Sequence, residues 1–197
     1  MGRNLEKDAV EMVAKNQRIL ENGLRVFAEN GIENVTMNDV AKTADIAVSS
    51  LYRYYSSKPQ LVMANGNWAW AEYVDENEKR EAALERPDRT AAEMFEFYLE
   101  SFLDLYRDHK DLLRFNQFLN IYLASGEISC EETQPYLDMI HRLEKRFGRL
   151  YRKALEDGTL RTEMPEKEMF SATLHLMMAV ITRYAIGLAY NGEKAAG

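Results

Sequence analysis

The sequence predicts an all-α protein: a short amino-terminal helical module followed by a larger helical domain. Three observations predict this. Apolar residues recur at helical spacing through every long stretch of the chain. Glycine and proline are sparse, 10 and 4 in 197 residues, as suits a mostly helical protein. No segment alternates apolar and polar residues with a convincing period of two, and none is an internal repeat or of low complexity.

Taken in order, residues 1–7 read as a flexible arm. A helix from about Asp8 to Asn30 places Val13, Leu20, Leu24 and Phe27 at core spacing, and Gly31 is its C′ terminator. Thr36 caps a short helix whose face carries Met37, Val40, Ala41 and Ala44, because its hydroxyl can accept from the unpaired N–H groups of the first turn. A turn through Thr43 to Ala47 leads to a second short helix, Val48 to Tyr54. Leu51 faces in, and Ser49, Ser50, Tyr52, Arg53 and Tyr54 are available to face out. Ser56-Ser57-Lys58-Pro59 opens a fourth helix, with Pro in the first turn, where its missing N–H costs nothing. That helix runs through Leu61, Val62, Trp68, Trp70 and Tyr73 into the charged stretch Asp75 to Arg86.

Arg86-Pro87-Asp88 breaks the chain. Thr90-Ala91-Ala92-Glu93 is a capping box that starts a helix to about Tyr106, apolar nearly all round and therefore buried or lining a cavity. Asp108 is expected to cap the next helix, which Ser125-Gly126 ends. A long helix is expected from near Pro135 to Glu156, stopped by Asp157-Gly158. Pro165 opens the last helix, where Glu166 and Glu168 suit the positive end of its dipole. The apolar stretch Phe170 to Tyr190 is interrupted by His175 and Arg183 and reads as a buried helix, not a membrane span.

A short helix of hydroxyls, an arginine and tyrosines, held at a fixed angle by the helix before it, suits a helix-turn-helix reader of DNA. At this point the chain resembles a known family. Arg18 to Val62 is similar to the amino-terminal DNA-binding domain of TetR-type regulators, at Ile19, Leu20, Phe27, Gly31, Thr36, Val40, Ala41, Ala44, Leu51, Tyr52, Tyr54 and Lys58. The resemblance implies domains at 1–58 (helix-turn-helix) and 59–197 (ligand binding and dimerisation), with about nine helices. It implies that Val48 to Tyr54 enters the major groove. Thr36, Tyr52, Tyr54 and Lys58 would then hold phosphates, while Ser49, Ser50 and Arg53 approach bases, with Val48 also among the DNA-binding residues. It also implies a palindromic operator, a small-molecule effector that releases it, and a fourth helix acting as the lever between the two. Departures from the family pattern bear on which bases are read. Asp45 stands where glycine is usual, Ala47 where a capping serine is usual, Val48-Ser49 for a polar-Gly pair, Tyr55 for phenylalanine and Gly23 for alanine.

Charge and composition narrow the function. The net charge is −7. Residues 1–58 hold eight Lys/Arg and eight Asp/Glu, so the whole deficit lies beyond them. A neutral reading head is not the footprint of a strong non-specific binder, so Arg25, Lys42, Arg53 and Lys58 must act locally and the salt slope should be shallow. One cysteine, Cys130, excludes an internal disulfide and reads as a lone thiol in a reducing compartment. No basic region leads an apolar run at the amino terminus, so no secretory leader is expected and the location implied is cytoplasmic.

The last two long helices are the expected homodimer element, packing on their copies as a four-helix bundle; the plainer alternative is that they only complete the internal core. Trp68, Tyr98, Phe102, Phe115, Phe118 and Tyr122 are each simplest as core. Collectively, two helices this rich in aromatics can enclose an apolar effector pocket. Asp138, His141 and Glu144 lie one turn apart, but no second such pair completes a metal set. No nucleophile triad, phosphate loop or HExxH is present, so neither enzyme chemistry nor a cofactor is expected. Two functions remain: a ligand-responsive transcriptional repressor, or a helical carrier or adaptor for apolar ligands whose amino-terminal module no longer reads DNA.

Overall fold

The computed structural model describes residues 5–126 and 129–188. Within them lie eight helices and no strands: α1 (Leu5–Asn30), α2 (Met37–Thr43), α3 (Val48–Tyr54), α4 (Lys58–Ala83), α5 (Ala91–Asp108), α6 (Lys110–Ala124), α7 (Cys130–Asp157) and α8 (Glu166–Ala185). The expectation was about nine. Among the described residues no helix is long and apolar enough to cross a membrane. The side chain of Cys130 and most of the expected arm over 1–7 lie outside the described residues.

The chain forms two compact units. The first comprises Met1–Ala69 with Phe115–Thr133, the second Trp70–Arg114 with Gln134–Gly197. The core of the first is built on Ile19, Phe27, Leu51, Leu61 and Phe115, all at most 1% exposed. Gly31 ends α1 with φ +82, and a Cβ there would lie 3.3 Å from the Phe118 ring. This position thus requires glycine for both its backbone conformation and its packing. Gly23 is explained by Asn65, whose buried amide would stand 2.8 Å from an added Cβ. The first turns of α1 depart from expectation. The helix begins at Leu5, and Val13, placed at core spacing, is 65% exposed. Val10 and Met12 beside it are exposed as well, at 67% and 57%.

The second unit packs an aromatic core. Tyr98 meets Phe102 at 5.2 Å and Phe147 at 5.4 Å, and Phe147 meets Phe170 at 5.6 Å, all as tilted or edge contacts. Tyr73 donates its hydroxyl to the Ser101 carbonyl at 2.6 Å, and burial pushes its pKa up to about 12. The start of α5 is capped three times. Thr90 and Glu93 form the expected capping box, Asp157 accepts from the Ala91 N–H at 2.8 Å, and Thr159 accepts from the Ala92 N–H at 3.1 Å. Arg114 donates to the Ala185 carbonyl at 2.9 Å, satisfying one orphan acceptor at the end of α8.

Two helix starts differ from expectation. Asp108 does not cap α6; it is the last residue of α5, and His109 is that helix's C-cap, so only one residue separates the two helices. The helix expected from Pro135 begins five residues earlier. Ser129 and Glu132 exchange side-chain and backbone hydrogen bonds as a capping box, and Pro135 is tolerated inside α7. The last helix is not buried all round. Phe170, Ile181 and Ala185 face the core, while Leu176, Val180 and Tyr184 are 66%, 42% and 50% exposed.

The hydrogen bonds from Thr90 hold the Glu93 carboxyl below its ordinary value of 4.5. A carboxyl whose folded pKa is lowered stabilises the fold above its unfolded pKa and loses that contribution as pH falls through the folded value. Glu93→Gln should therefore be less stable than the parent at pH 7, and the difference should shrink as pH falls below 4.5 and through the lowered folded value. Urea unfolding across this range checks it, and a difference that does not change with pH would contradict the linkage.

Candidate nucleic-acid interface

Helices α2 and α3 form a helix-turn-helix whose geometry follows from local chemistry. Thr36 caps α2: its hydroxyl accepts from the Asp39 N–H at 3.3 Å and donates to the Asp39 carboxylate at 2.6 Å. The same bonds, with the Thr36 N–H, hold the Asp39 carboxyl below its ordinary range. At the far end, the Asp45 N–H donates to the Lys42 carbonyl at 3.2 Å and the Ile46 N–H to the Ala41 carbonyl at 3.0 Å. That pair of bonds is a Schellman motif with Asp45 at C′, and Asp45 takes φ 53. The departure from glycine at this position therefore keeps the left-handed turn.

Ala47 begins α3 with extended backbone and no side-chain cap. Leu51 is wholly buried and anchors the helix. Ser49, Tyr52 and Arg53 are exposed, whereas Val48, Ser50 and Tyr54 are half-buried. The helix ends on Tyr55, whose hydroxyl donates to Asn16 Oδ1 on α1 at 2.7 Å. Burial pushes this phenol up, and the Asn16 bond offsets part of the rise. The hydroxyl that distinguishes Tyr55 from the usual phenylalanine thus ties α3 to α1.

Each residue expected at DNA can be placed. Thr36 is exposed at the start of α2, its hydroxyl shared with Asp39. Ser50 accepts a hydrogen bond from Lys15 Nζ on α1 at 2.9 Å. Lys58 donates to the Glu33 carbonyl at 3.3 Å, tying the start of α4 to the segment before α2. Lys42 is exposed in the last turn of α2. Sequence reasoning missed Lys15 and Asn16, which brace α3 from 35 and 39 residues away; no local pattern marks contacts at that separation.

The aromatics expected to line a pocket fall in both units. Phe115 is buried in the first unit, 6.2 Å from Phe27, with Tyr122 buried and Trp68 and Phe118 half-buried in the same unit. Tyr98 and Phe102 stand together in the second. The Tyr98 hydroxyl is buried with no hydrogen-bond partner among the described residues, and burial raises its pKa. Among the described residues no group of three His, Cys, Asp or Glu could hold a metal ion.

Residues 19–64 match the family model described as bacterial regulatory proteins, tetR family. The chain is 40% identical over 57 residues to the HTH-type transcriptional regulator SAB2452 of Staphylococcus aureus (strain bovine RF122 / ET3-1), covering 29% of each. It is 23% identical over 185 residues to the uncharacterized HTH-type transcriptional regulator YerO of Bacillus subtilis (strain 168), covering 92% of this chain and 58% of that one. In both cases the match spans less than two thirds of the relative's length. The fold is similar to that of the transcriptional regulator FadR from Bacillus subtilis in complex with stearoyl-CoA. The TM-score is 0.68 at 16% identity, over 87% of each chain.

The missing cap at Ala47 is a local, correctable defect. Ala47→Ser should add about 0.5–2 kcal/mol of stability by accepting from a first-turn N–H of α3. Asp45→Gly should also stabilise, by roughly 0.5–1 kcal/mol, because φ 53 favours glycine. Chemical denaturation measures both, and a destabilising Asp45→Gly would mean that the Asp45 side chain does more than tolerate the turn.

Proposed function

Because this chain belongs to the TetR family of bacterial regulatory proteins, we propose that it is a homodimeric, non-enzymatic transcriptional regulator of the cytoplasm. In this reading it is a repressor that a small-molecule effector releases from a palindromic operator. The observation that carries the reading is the exposed face of α3. Ser49, Tyr52 and Arg53 project from a helix anchored by Leu51 and set by the Asp45 turn. Such a helix presents short and long donors to a major groove. Ser49, Ser50 and Arg53 are the base-directed residues, with Val48 beside them, and Thr36, Tyr52, Tyr54 and Lys58 the phosphate-directed ones. Lys15 and Lys58 already donate to protein acceptors. Each would exchange that neutral acceptor for a phosphate oxygen, a charge-assisted bond about twice as strong.

Dimerisation through α7 and α8 is supported by the exposed stripe Leu176, Val180 and Tyr184 at successive fourth positions. An apolar effector is supported by the aromatic core around Tyr98, whose buried hydroxyl could serve a polar group on the ligand. It is also supported by the stearoyl-CoA bound to the similar FadR. Effector and operator must then weaken each other's binding reciprocally.

Selection of bound duplexes from a random library, at near-physiological salt and without ligand, tests the reading. A palindrome with half-sites a helical turn or more apart supports it. No enrichment, even at low salt, favours the alternative of an apolar-ligand carrier or adaptor, to which the uncapped α3 and the neutral head also point. On a recovered site, Arg53→Ala should relax preference at particular bases by about 1–3 kcal/mol each, whereas Tyr52→Phe and Lys58→Ala should weaken all sequences alike. Equal losses at every base for Arg53→Ala would make it a phosphate contact. Leu176→Glu with Val180→Glu should convert the dimer to monomer in sedimentation equilibrium, and an unchanged dimer would place the interface elsewhere.

A further inference from the structure

We infer that the second unit carries a binding site for a phosphoryl group, in the cleft between the end of α4, the α4–α5 turn and α7, with Arg89 as its floor. The inference does not rest on DNA binding. The cleft is about 1120 Å³, a generous volume for a small molecule. Its cationic lining comes from two elements: Arg86 and Arg89 from the α4–α5 turn, Arg86 being paired there with Asp88 and Glu93, and Arg149, Arg152 and Lys153 from one face of α7.

Arg89 is the anomaly. Its side chain is 3% exposed, and its Nη1 makes no hydrogen bond. The nearest carboxylate oxygens stand 3.6 Å away on Glu85 and 4.0 Å away on Glu81. Glu81, half-buried with its side chain 13% exposed, is already held by Arg146 at 2.6 Å, and Arg146 is itself 6% exposed with an unpartnered Nη2. Arg149 also reaches Glu81 at 4.0 Å. Three guanidiniums therefore share one half-buried carboxylate. The aromatic face of Phe97 compensates partly, with the guanidiniums of Arg146, Arg89 and Arg80 at 5.4, 5.6 and 5.7 Å from its centroid. A ring quadrupole cannot supply the acceptor that a buried guanidinium N–H lacks.

The other acids of the lining, Glu78, Glu85 and the exposed Glu156, do not close this gap. Glu78 is held by Arg142 at 2.8 Å. Glu85 is 70% exposed and lies beyond hydrogen-bond distance, so a ligand can displace it at little cost. What the site lacks is an oxyanion that accepts donors from several directions. A tetrahedral phosphoryl group does this for Arg forks and a Lys ammonium together, whereas a planar carboxylate serves one or two forks.

The test is calorimetric titration of the full chain with inorganic pyrophosphate and with inorganic phosphate, without DNA and at constant ionic strength. Saturable binding is expected, weakened about tenfold or more by Arg89→Gln, since a charge-assisted bond is lost. Arg161→Gln, on a residue 89% exposed outside the cleft, should leave it unchanged. Glu85→Gln removes the competing carboxylate and should tighten binding. That gain cannot come from a misfolded chain, so it decides the matter if Arg89→Gln fails to fold. No saturable heat, an Arg89→Gln that folds and binds as the parent does, or a Glu85→Gln that binds no more tightly would overturn the proposal. So would acetate competing with pyrophosphate on equal terms.

Discussion

The reading head depends on one backbone conformation, the left-handed turn at Asp45. Two N–H groups, those of Asp45 and Ile46, must find the carbonyls of Lys42 and Ala41 for α2 to end where it does. Only a residue with positive φ lets both bonds form. Once they form, α3 starts two residues later, Leu51 reaches the core, and Ser49, Tyr52 and Arg53 point away from it. A residue that resisted φ 53 would forfeit these two bonds and the chain reversal that leads into α3. Asp tolerates the conformation less well than glycine but better than most residues, so the turn is retained at a modest cost in stability.

The bracing of α3 shows how that cost and the absent cap at Ala47 are offset from a distance. Lys15 and Asn16 are neighbours on α1, and they bond Ser50 and Tyr55 at either end of the exposed face of α3. The Asn16 bond needs a hydroxyl at position 55, which phenylalanine lacks. Loss of a local cap and gain of a long-range hydrogen bond thus occur in one helix of seven residues. The trade makes the orientation of α3 depend on the middle of α1.

What was legible in the sequence was chiefly what local chemistry determines. The boxes at Thr36–Asp39 and Thr90–Glu93 fix two helix starts through residues three apart, and Gly31, Gly126 and Gly158 all take positive φ where helices stop. The start of α7 was equally legible, since Ser129 and Glu132 have the same spacing, but Pro135 drew the boundary to itself. Val13 could not be placed by periodicity, which reports a face without saying whether anything covers it. Gly23 departs from alanine because Asn65, 42 positions on, fills the space. Nothing local announces that, any more than it announces the burial of Arg89 against Phe97.

The charge distribution then acquires a physical meaning. The reading head is neutral over residues 1–58, and two of its lysines are engaged with protein acceptors. In a regulator of the proposed kind, little of the operator affinity would come from counterion release, and most from the geometry of α3. An affinity that depends on geometry is lost when the two heads of a dimer are moved out of step, even by a small displacement. An affinity built on a diffuse positive field would survive the same movement. A neutral head is therefore the easier one to release, because an effector need supply only the differential binding energy that repositions it.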